Sequence, residues 1–185
     1  VYGQIFSSDG AAIYSSSITS TLTTSKTLTS SISPTSSATL VPSHQIGNKF
    51  QANTYTVSNQ QYPSVTTLNN GNFVIIWQRY AGYGVYGQVF DNDGVKQGIE
   101  FEVHISGHSS DKSIAALSGN NFAVIWSSYG YGVYGQIFSG NGIKQGTEFQ
   151  VNPSVDTLSH HSDPSVATLS NGNFVVTWNS FYQDG

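Results

Sequence analysis

The sequence predicts an all-β fold of repeated four-stranded antiparallel units that are similar to the blades of a β-propeller. The motif VYGQ[IV]F occurs three times, at Val1–Phe6, Val85–Phe90 and Val133–Phe138. Short apolar segments alternate with Asn-Gly and Asp-Gly pairs, which favour the tight turns of β-hairpins. Apolar residues show no helical spacing, and glycine recurs throughout residues 49–185. A β-sandwich and an open helical stack of β-repeats are the alternative architectures.

The strand-like segments recur with a regular period. Three repeats start at Phe50, Phe101 and Phe149, and these starts are 51 and 48 residues apart. This period is typical of propeller blades and similar arrays. Each complete repeat contains four segments, of the types FQANTY, PSVTTL, NFVIIW and VYGQVF. The predicted repeat region, residues 47–185, divides into 50–100, 101–148 and 149–185.

The third repeat stops after its NFVVTW segment, Asn173–Trp178, and lacks a VYGQ[IV]F segment. The segment Val1–Phe6 supplies a strand of that type, and a Ser-Ser-Asp-Gly turn follows it. Residues 1–10 are therefore predicted to complete the third repeat. The sequence is then cut within a repeat at both of its ends.

The NFVIIW-type segments predict how the units pack. Strand side chains alternate between two faces, and both faces of Asn72–Trp77, Asn121–Trp126 and Asn173–Trp178 are mostly apolar. Strands of this kind are covered on both sides, as in sheets that pack face to face. Because a propeller needs about four blades to close, three units predict a ring completed by several copies, an open array or a less regular sandwich.

Residues 11–46 are interpreted as an arm or linker. Within residues 15–43, 19 of 29 residues are Ser or Thr, and Pro34 and Pro42 interrupt the stretch. The apolar residues are too sparse to offset the entropy of ordering the segment. Three interpretations follow: a disordered linker, an O-glycosylated extended arm, or an arm that lies as a strand against a neighbouring copy. The glycosylation candidates are Thr19, Thr21, Thr23, Thr24, Thr27, Thr29, Thr35 and Thr39.

Composition excludes several classes of partner. Charged residues make up 9% of the chain, the net charge is −4, and Lys and Arg are not clustered, which argues against binding nucleic acid or anionic membranes. Cysteine is absent, so the chain has neither a disulfide framework nor a thiolate metal site. No apolar run approaches the roughly 18 residues of a membrane span.

No catalytic motif is recognisable, and the chain is predicted not to be an enzyme. A nucleophile elbow, a phosphate loop and paired carboxylates are all missing. One metal candidate is a weak calcium site at Asp91 and Asp93, for which a plain hairpin turn is the favoured interpretation. Another is a possible cation site at His160, His161 and Asp163. The histidines are expected to be solvated loop residues, because metal sites need three or four converging ligands. They are His44, His104, His108, His160 and His161.

Aromatic residues in the hairpins after the Trp-containing segments offer an alternative function. Exposed rings stack on sugars or on partner proteins, so the alternative is a carbohydrate-binding or adhesin propeller module with glycans as partners. The competing interpretation is that these rings cap the ends of the sheets. The candidate ligand-binding residues are Tyr80, Tyr83, Tyr129, Tyr131 and Tyr182.

The recurring motifs also suggest a family. EF[EQ]V, PSV-x-TL, NGNF-V-x-x-W and VYGQ[IV]F with its DG or NG turn together cover about 130 residues. The pattern resembles the tandem repeats of very large secreted or cell-surface proteins of bacteria and microbial eukaryotes. That resemblance implies an extracellular array with adhesive or structural roles and no catalytic residues. The Ser/Thr-rich arm departs from the pattern.

The leading prediction is a structural subunit of an extracellular fibre or surface array. Its partners are copies of itself, joined head to tail by strand pairing. Val1–Phe6 is predicted to lie beside Asn173–Trp178 of its own chain or of the next copy, with alternate side chains fixing the register. The predicted assembly residues are Val1, Tyr2, Gly3, Gln4, Ile5, Phe6, Phe174, Val176, Trp178, Asp184 and Gly185.

Overall fold

The computed structural model describes residues 1–3, 49–81, 84–105, 111–128, 132–152 and 160–181. These residues belong to one compact unit, Val1–Gly3 with Lys49–Gly185. The Ser/Thr-rich arm and its glycosylation candidates lie outside the described residues.

The described residues form β-strands and one short 3-10 turn, Ser118–Asn120. Every strand pair is antiparallel. The all-β prediction is therefore confirmed. The strands are β1 (Tyr2–Gly3), β2 (Phe50–Gln51), β3 (Gln60–Thr67), β4 (Phe73–Arg79), β5 (Gly84–Phe90), β6 (Lys96–His104), β7 (Lys112–Ala116), β8 (Asn121–Ser128), β9 (Gly132–Ser139), β10 (Lys144–Gln150), β11 (His160–Thr168) and β12 (Phe174–Phe181).

The strands make four sheets. The first full sheet has the order β3-β4-β5-β6 and the second full sheet β7-β8-β9-β10, so four-stranded antiparallel units are confirmed. The first half sheet is β1-β2 and the second half sheet is β11-β12. Each full sheet starts with a PSVTTL-type strand and ends with an EF[EQ]V-type strand. The sheets are therefore offset by one strand from the repeat bounds read from the sequence.

The two full sheets pack face to face around the largest apolar cluster. This cluster combines Val74 and Ile76 of β4 with Phe122, Val124 and Trp126 of β8, all of them fully buried. Burying one such side chain stabilises a fold by about 1.5–3 kcal/mol. Because β4 and β8 are buried on both faces, the expected two-sided burial is confirmed for these strands.

Each half sheet packs against the full sheet that is next to it in the chain. Ala52, directly after β2, shares a buried cluster with Ile75 and Trp77 of β4. Val166 of β11 shares another cluster with Ile125 of β8. The four sheets therefore stack in chain order, with a half sheet on each outer side of the two full sheets.

The VYGQ[IV]F motif connects the last two strands of each full sheet, β5 with β6 and β9 with β10. In β5, Gln88 is buried, and its Nε2 donates hydrogen bonds of 3.0 Å to the carbonyls of Val89 and Gln97. In β9, Gln136 donates to Ile137 and Gln145 at 2.9 and 3.1 Å. The motif is therefore a structural element that ties the VYGQ strand to the following EF[EQ]V strand.

Candidate assembly interface

In each full sheet, the first two strands (β3-β4 or β7-β8) are called the inner half and the last two (β5-β6 or β9-β10) the outer half. The first half sheet reproduces an outer half. In β1 and β2, Tyr2 pairs with Gln51 and Gly3 with Phe50. This is the register of the outer strands in both full sheets, where Gly87 pairs with Phe101 in one and Gly135 with Phe149 in the other. In the part of the chain that the structure describes, the first half sheet therefore consists of the outer pair of strands alone.

An asparagine anchors the start of the VYGQ strand in two places. Val1 N donates to Asn53 Oδ1 at 2.8 Å, and Val133 N donates to Asn152 Oδ1 at 2.7 Å. The main chain repeats the match, since Ala52 N donates to the Val1 carbonyl as Val151 N does to the Val133 carbonyl. Sequence reasoning missed these asparagines, although both stand third after the phenylalanine of the strand.

The second half sheet reproduces the inner half of a full sheet. Val166 pairs with Val176 and Thr168 with Phe174, as Val65 pairs with Ile75 in the first full sheet. The pairs β3-β4 and β11-β12 also share a register shift at the same position, at Tyr62-Pro63 in one and at Asp163-Pro164 in the other. The two half sheets are thus complementary halves of one four-stranded unit.

One edge of β12 has no strand partner among the described residues. In the first full sheet, β4 pairs with β3 on one side and with β5 on the other. In the described part of the chain, β12 pairs with β11 alone. An edge of this kind presents a row of main-chain donors and acceptors that a further strand can pair with.

The structure places the predicted assembly residues unevenly. Phe174, Val176 and Trp178 lie on the face of β12 that packs against the second full sheet, and their side chains are partly buried there. Their main-chain groups lie along the edge of β12 that has no strand partner among the described residues. Val1, Tyr2 and Gly3 lie in or next to β1, which pairs with β2. Gln4, Ile5, Phe6, Asp184 and Gly185 lie outside the described residues.

Three apolar side chains that were not predicted as site residues lie on the two outer faces of the sheet stack. Val65 on β3, Val175 on β12 and Leu169 after β11 are all exposed. Their counterparts in the neighbouring repeats are buried. The repeat alignment identifies the equivalent positions. Their difference in exposure can be recognised only once the stacking order of the sheets is known.

The acidic turn has a structural role in the described residues. Asp91 Oδ1 accepts hydrogen bonds from the amides of Asp93 and Val95 at 3.1 and 2.9 Å, and Asp91 Oδ2 accepts one from Gln97 at 3.0 Å. These contacts stabilise the hairpin between β5 and β6. In the described ranges, no three His, Asp or Glu residues come together as a metal site.

The expectation of solvated loop histidines is wrong for two of them. His104 ends β6 and is mostly buried, with Nδ1 3.1 Å from Glu148 Oε2 and its ring 4.9 Å from that of Trp126. His161 is buried within β11. His104 was expected at a strand end, and its burial depends on Trp126, a partner from another sheet that the sequence does not reveal. For His161, the neighbouring serines resemble a loop. His160 also belongs to β11, whereas His44 and His108 lie outside the described residues.

Of the candidate ligand-binding aromatics, Tyr80 alone lies in the described residues. Its ring is about half exposed after the end of β4. Tyr83, Tyr129, Tyr131 and Tyr182 lie outside them, so a ring platform for glycans stays a prediction.

Comparison with protein-family models and with curated proteins finds no match for this chain. The resemblance to secreted tandem repeats therefore stays a prediction. Within the described ranges, no helix has the length and apolar character needed to cross a membrane.

Lys112 is the first residue of β7, and residues near the start of β3 and of β11 lie close to it or to its neighbour Asp111. Its Nζ is 5.5 Å from the centroid of the Tyr62 ring, and Asp163 N donates to Asp111 Oδ2 at 3.4 Å. Burial lowers the pKa of Lys112 to about 8, against the opposing effect of the Asp111 carboxylate. The ammonium group therefore destabilises the folded state near neutral pH.

We expect Lys112→Gln to raise the free energy of unfolding by about 1 kcal/mol at pH 7, since it removes a partly desolvated charge. An unfolded lysine titrates near pH 10.4. Between about pH 8 and 10 the unfolded wild type therefore binds more protons, and the stability of the wild type rises with pH. Urea denaturation of both proteins at pH 7 and pH 10 measures this difference. A stability gap that is equal at both pH values would contradict the expectation.

Proposed function

We propose that this chain is a structural subunit of an extracellular fibre or surface repeat array, assembled head to tail by strand pairing. In this proposal the sheets act as propeller-like blades in an open stack. The edge of β12 in one copy takes up the Val1–Phe6 strand of the next copy. The result is a four-stranded sheet of order β11-β12-β1-β2 that is shared by two copies.

The complementary half sheets carry this proposal. In the first full sheet, Phe73 pairs with Phe90, Ile75 with Gln88 and Trp77 with Tyr86. The equivalent register in the shared sheet follows from the repeat alignment. It pairs Phe174 with Phe6, Val176 with Gln4 and Trp178 with Tyr2 of the neighbouring copy.

A recurring aromatic contact supports the same register. Phe73 and Phe90 stack with their ring centroids 5.2 Å apart, and Phe122 stacks with its own VYGQ-strand phenylalanine, Phe138, at the same distance. Stacked pairs of this kind contribute about 0.5–1.5 kcal/mol beyond their burial. Phe174 occupies the position of Phe73 and Phe122. In the proposed joint it stacks on Phe6 of the next copy.

The proposed joint leads to a filament. It brings together two different surfaces of the same chain, so it is heterologous and need not close into a ring. Main-chain hydrogen bonds supply the strength of the joint, and the alternate side chains fix its register. The density of Ser and Thr with Pro in residues 15–43 supports an O-glycosylated arm on each subunit, which suits an extracellular location.

A peptide with the sequence of residues 1–10, VYGQIFSSDG, tests the joint. We expect it to occupy the β12 edge and to cap growing assemblies, so that assembly size falls as peptide is added. Sedimentation velocity and electron microscopy measure assembly size. Two peptides serve as controls, one with scrambled sequence and one with Phe6→Ala, which keeps the main-chain pairing but removes the aromatic stack.

Two outcomes would contradict the proposal. One is wild-type protein that stays a single-copy species without periodic fibres at every concentration. The other is a peptide that acts no more strongly than its scrambled control. Intact mass of the native material tests the arm, because O-glycosylation adds hexose or N-acetylhexosamine increments to the polypeptide mass.

A further inference from the structure

We infer that the joint between copies has a second part, in which Val65 on β3 of one copy packs against Val175 and Leu169 of the copy that precedes it. This inference rests on the proposed head-to-tail joint and adds a sheet-to-sheet contact to its strand pairing. The occupant of both uncovered faces is another copy of this chain.

The first observation is the exposure of β3. Val65 is 61% exposed, whereas its counterparts Ile114 and Val166 are 7% and 8% exposed. Ile114 packs in the apolar cluster between the two full sheets, and Val166 packs in the cluster between the second full sheet and the second half sheet. This position is therefore buried wherever the inner half of a preceding sheet covers it. Among the described residues, the first half sheet consists of β1 and β2 alone, and no strand equivalent to β3 or β4 covers Val65.

The second observation is the matching exposure on the other side of the stack. Val175 is 44% exposed, whereas its counterparts Val74 and Ala123 are fully buried. Leu169 is also 44% exposed, against 5% for its counterpart Leu68. Val74 and Leu68 belong to the cluster that receives Ile114 from the following sheet. Val175 and Leu169 therefore form the surface that receives a residue at the position of Val65.

The packing between the two full sheets of one chain is thus a template for the inferred contact between two copies. When β1 and β2 of the next copy join β12, the completed sheet lies against the first full sheet of that copy, as the first half sheet already does. The second half sheet of the preceding copy then faces β3 of the next copy. Val175 and Val65 then share one apolar cluster, as Val74 and Ile114 do within one chain.

Two variants of the full-length chain test the inference, Val65→Asp and Val175→Lys. Each places a charge in the inferred contact, and we expect self-association at least about 100-fold weaker, since a buried charge without a partner is costly. The matched control is Ile143→Asp, because Ile143 is 63% exposed in the hairpin turn between β9 and β10, which belongs to neither inferred face. It should associate like the wild type.

A mixture of the two variants provides the decisive arm. The Val65→Asp copy keeps an intact Val175 face, and the Val175→Lys copy keeps an intact Val65 face. One wild-type joint therefore forms between them. We expect two-copy species in the mixture at concentrations at which each variant alone stays single, which also shows that both variants are folded. Sedimentation velocity measures the species.

The outcomes separate this inference from the proposed function. If both variants associate as strongly as Ile143→Asp while the VYGQIFSSDG peptide still caps assembly, the face contact is wrong and the strand joint stands. Variants that are each blocked but do not complement one another would also overturn the face contact. Wild-type protein that stays a single copy at every concentration would overturn both the joint and the contact.

Discussion

Replacing Gly135 by alanine will destabilise the protein by about 3 kcal/mol, at the upper end for overpacking a core. A Cβ atom at this position would lie 2.5 Å from Phe149 Cζ and 2.7 Å from Ile125 Cδ1. Carbon atoms pack best at about 3.5–4.0 Å. Gly135 does not have a positive φ, so the expected cost is steric and not conformational. Urea denaturation of the full chain measures the loss.

A second substitution separates this clash from other causes. In Gly135→Ala/Phe149→Leu, the shorter leucine leaves room for the new methyl group, and we expect the double variant to be more stable than the sum of the two single losses predicts. Two results would contradict the steric explanation: strictly additive losses in the free energy of unfolding, or a urea midpoint for Gly135→Ala alone that equals that of the wild type. Gly87 and Phe101 form the same pair in the first full sheet, also with a 2.5 Å approach.

The VYGQ[IV]F motif shows what could be predicted from the sequence and what could not. Its recurrence and apolar alternation are enough to predict a strand, because period 2 and flanking Gly-rich turns are local signals. The roles of Gly135 and Gln136 are not local. They depend on the ring of Phe149 and on the carbonyl of Gln145, which belong to another strand. The sequence contains these partners but not their register.

The candidate interface could also be predicted only in part from the sequence. The proposed pairing between residues 1–6 and 173–178 follows from the sequence alone, because the order of the segments shows that the third repeat lacks a VYGQ-type strand. The alternation of β12 predicts two faces but does not say which of them the chain itself covers. Phe174, Val176 and Trp178 stay predicted assembly residues, and their side chains also pack against the second full sheet of the same chain. Val65 and Val175 could be found only from burial.

Replacing Arg79 by methionine will also destabilise the protein by about 3 kcal/mol, because it leaves a largely buried carboxylate without its cation. Arg79 Nη2 donates to Glu100 Oε1, and the two side chains are 15% and 12% exposed. The guanidinium carbon also lies 4.3 Å from the centroid of the Tyr55 ring and 3.7 Å from that of Tyr86. The substitution removes both cation–π contacts as well as the ion pair.

This cluster connects the first half sheet to the first full sheet. Tyr55 follows β2, and the amide of its neighbour Thr54 donates to Glu100 Oε2 at 2.8 Å. We therefore expect Arg79→Met to speed chymotryptic cleavage at Tyr55 under native conditions, because local opening needs less free energy once the contact is lost. The matching positions in the other repeats are Ser128 and Ser180, so neither provides a second guanidinium for this role.

The double variant Arg79→Met/Glu100→Met distinguishes the ion pair from simple loss of packing. Replacing both members of a buried pair by apolar side chains is often neutral, so we expect the double variant to recover to within about 1 kcal/mol of the wild type. Because buried pairs are weakly screened, the loss in Arg79→Met should also change little between low and high salt. A double variant less stable than Arg79→Met alone would show that the side-chain stems and their ring contacts, and not the charges, hold the half sheet in place.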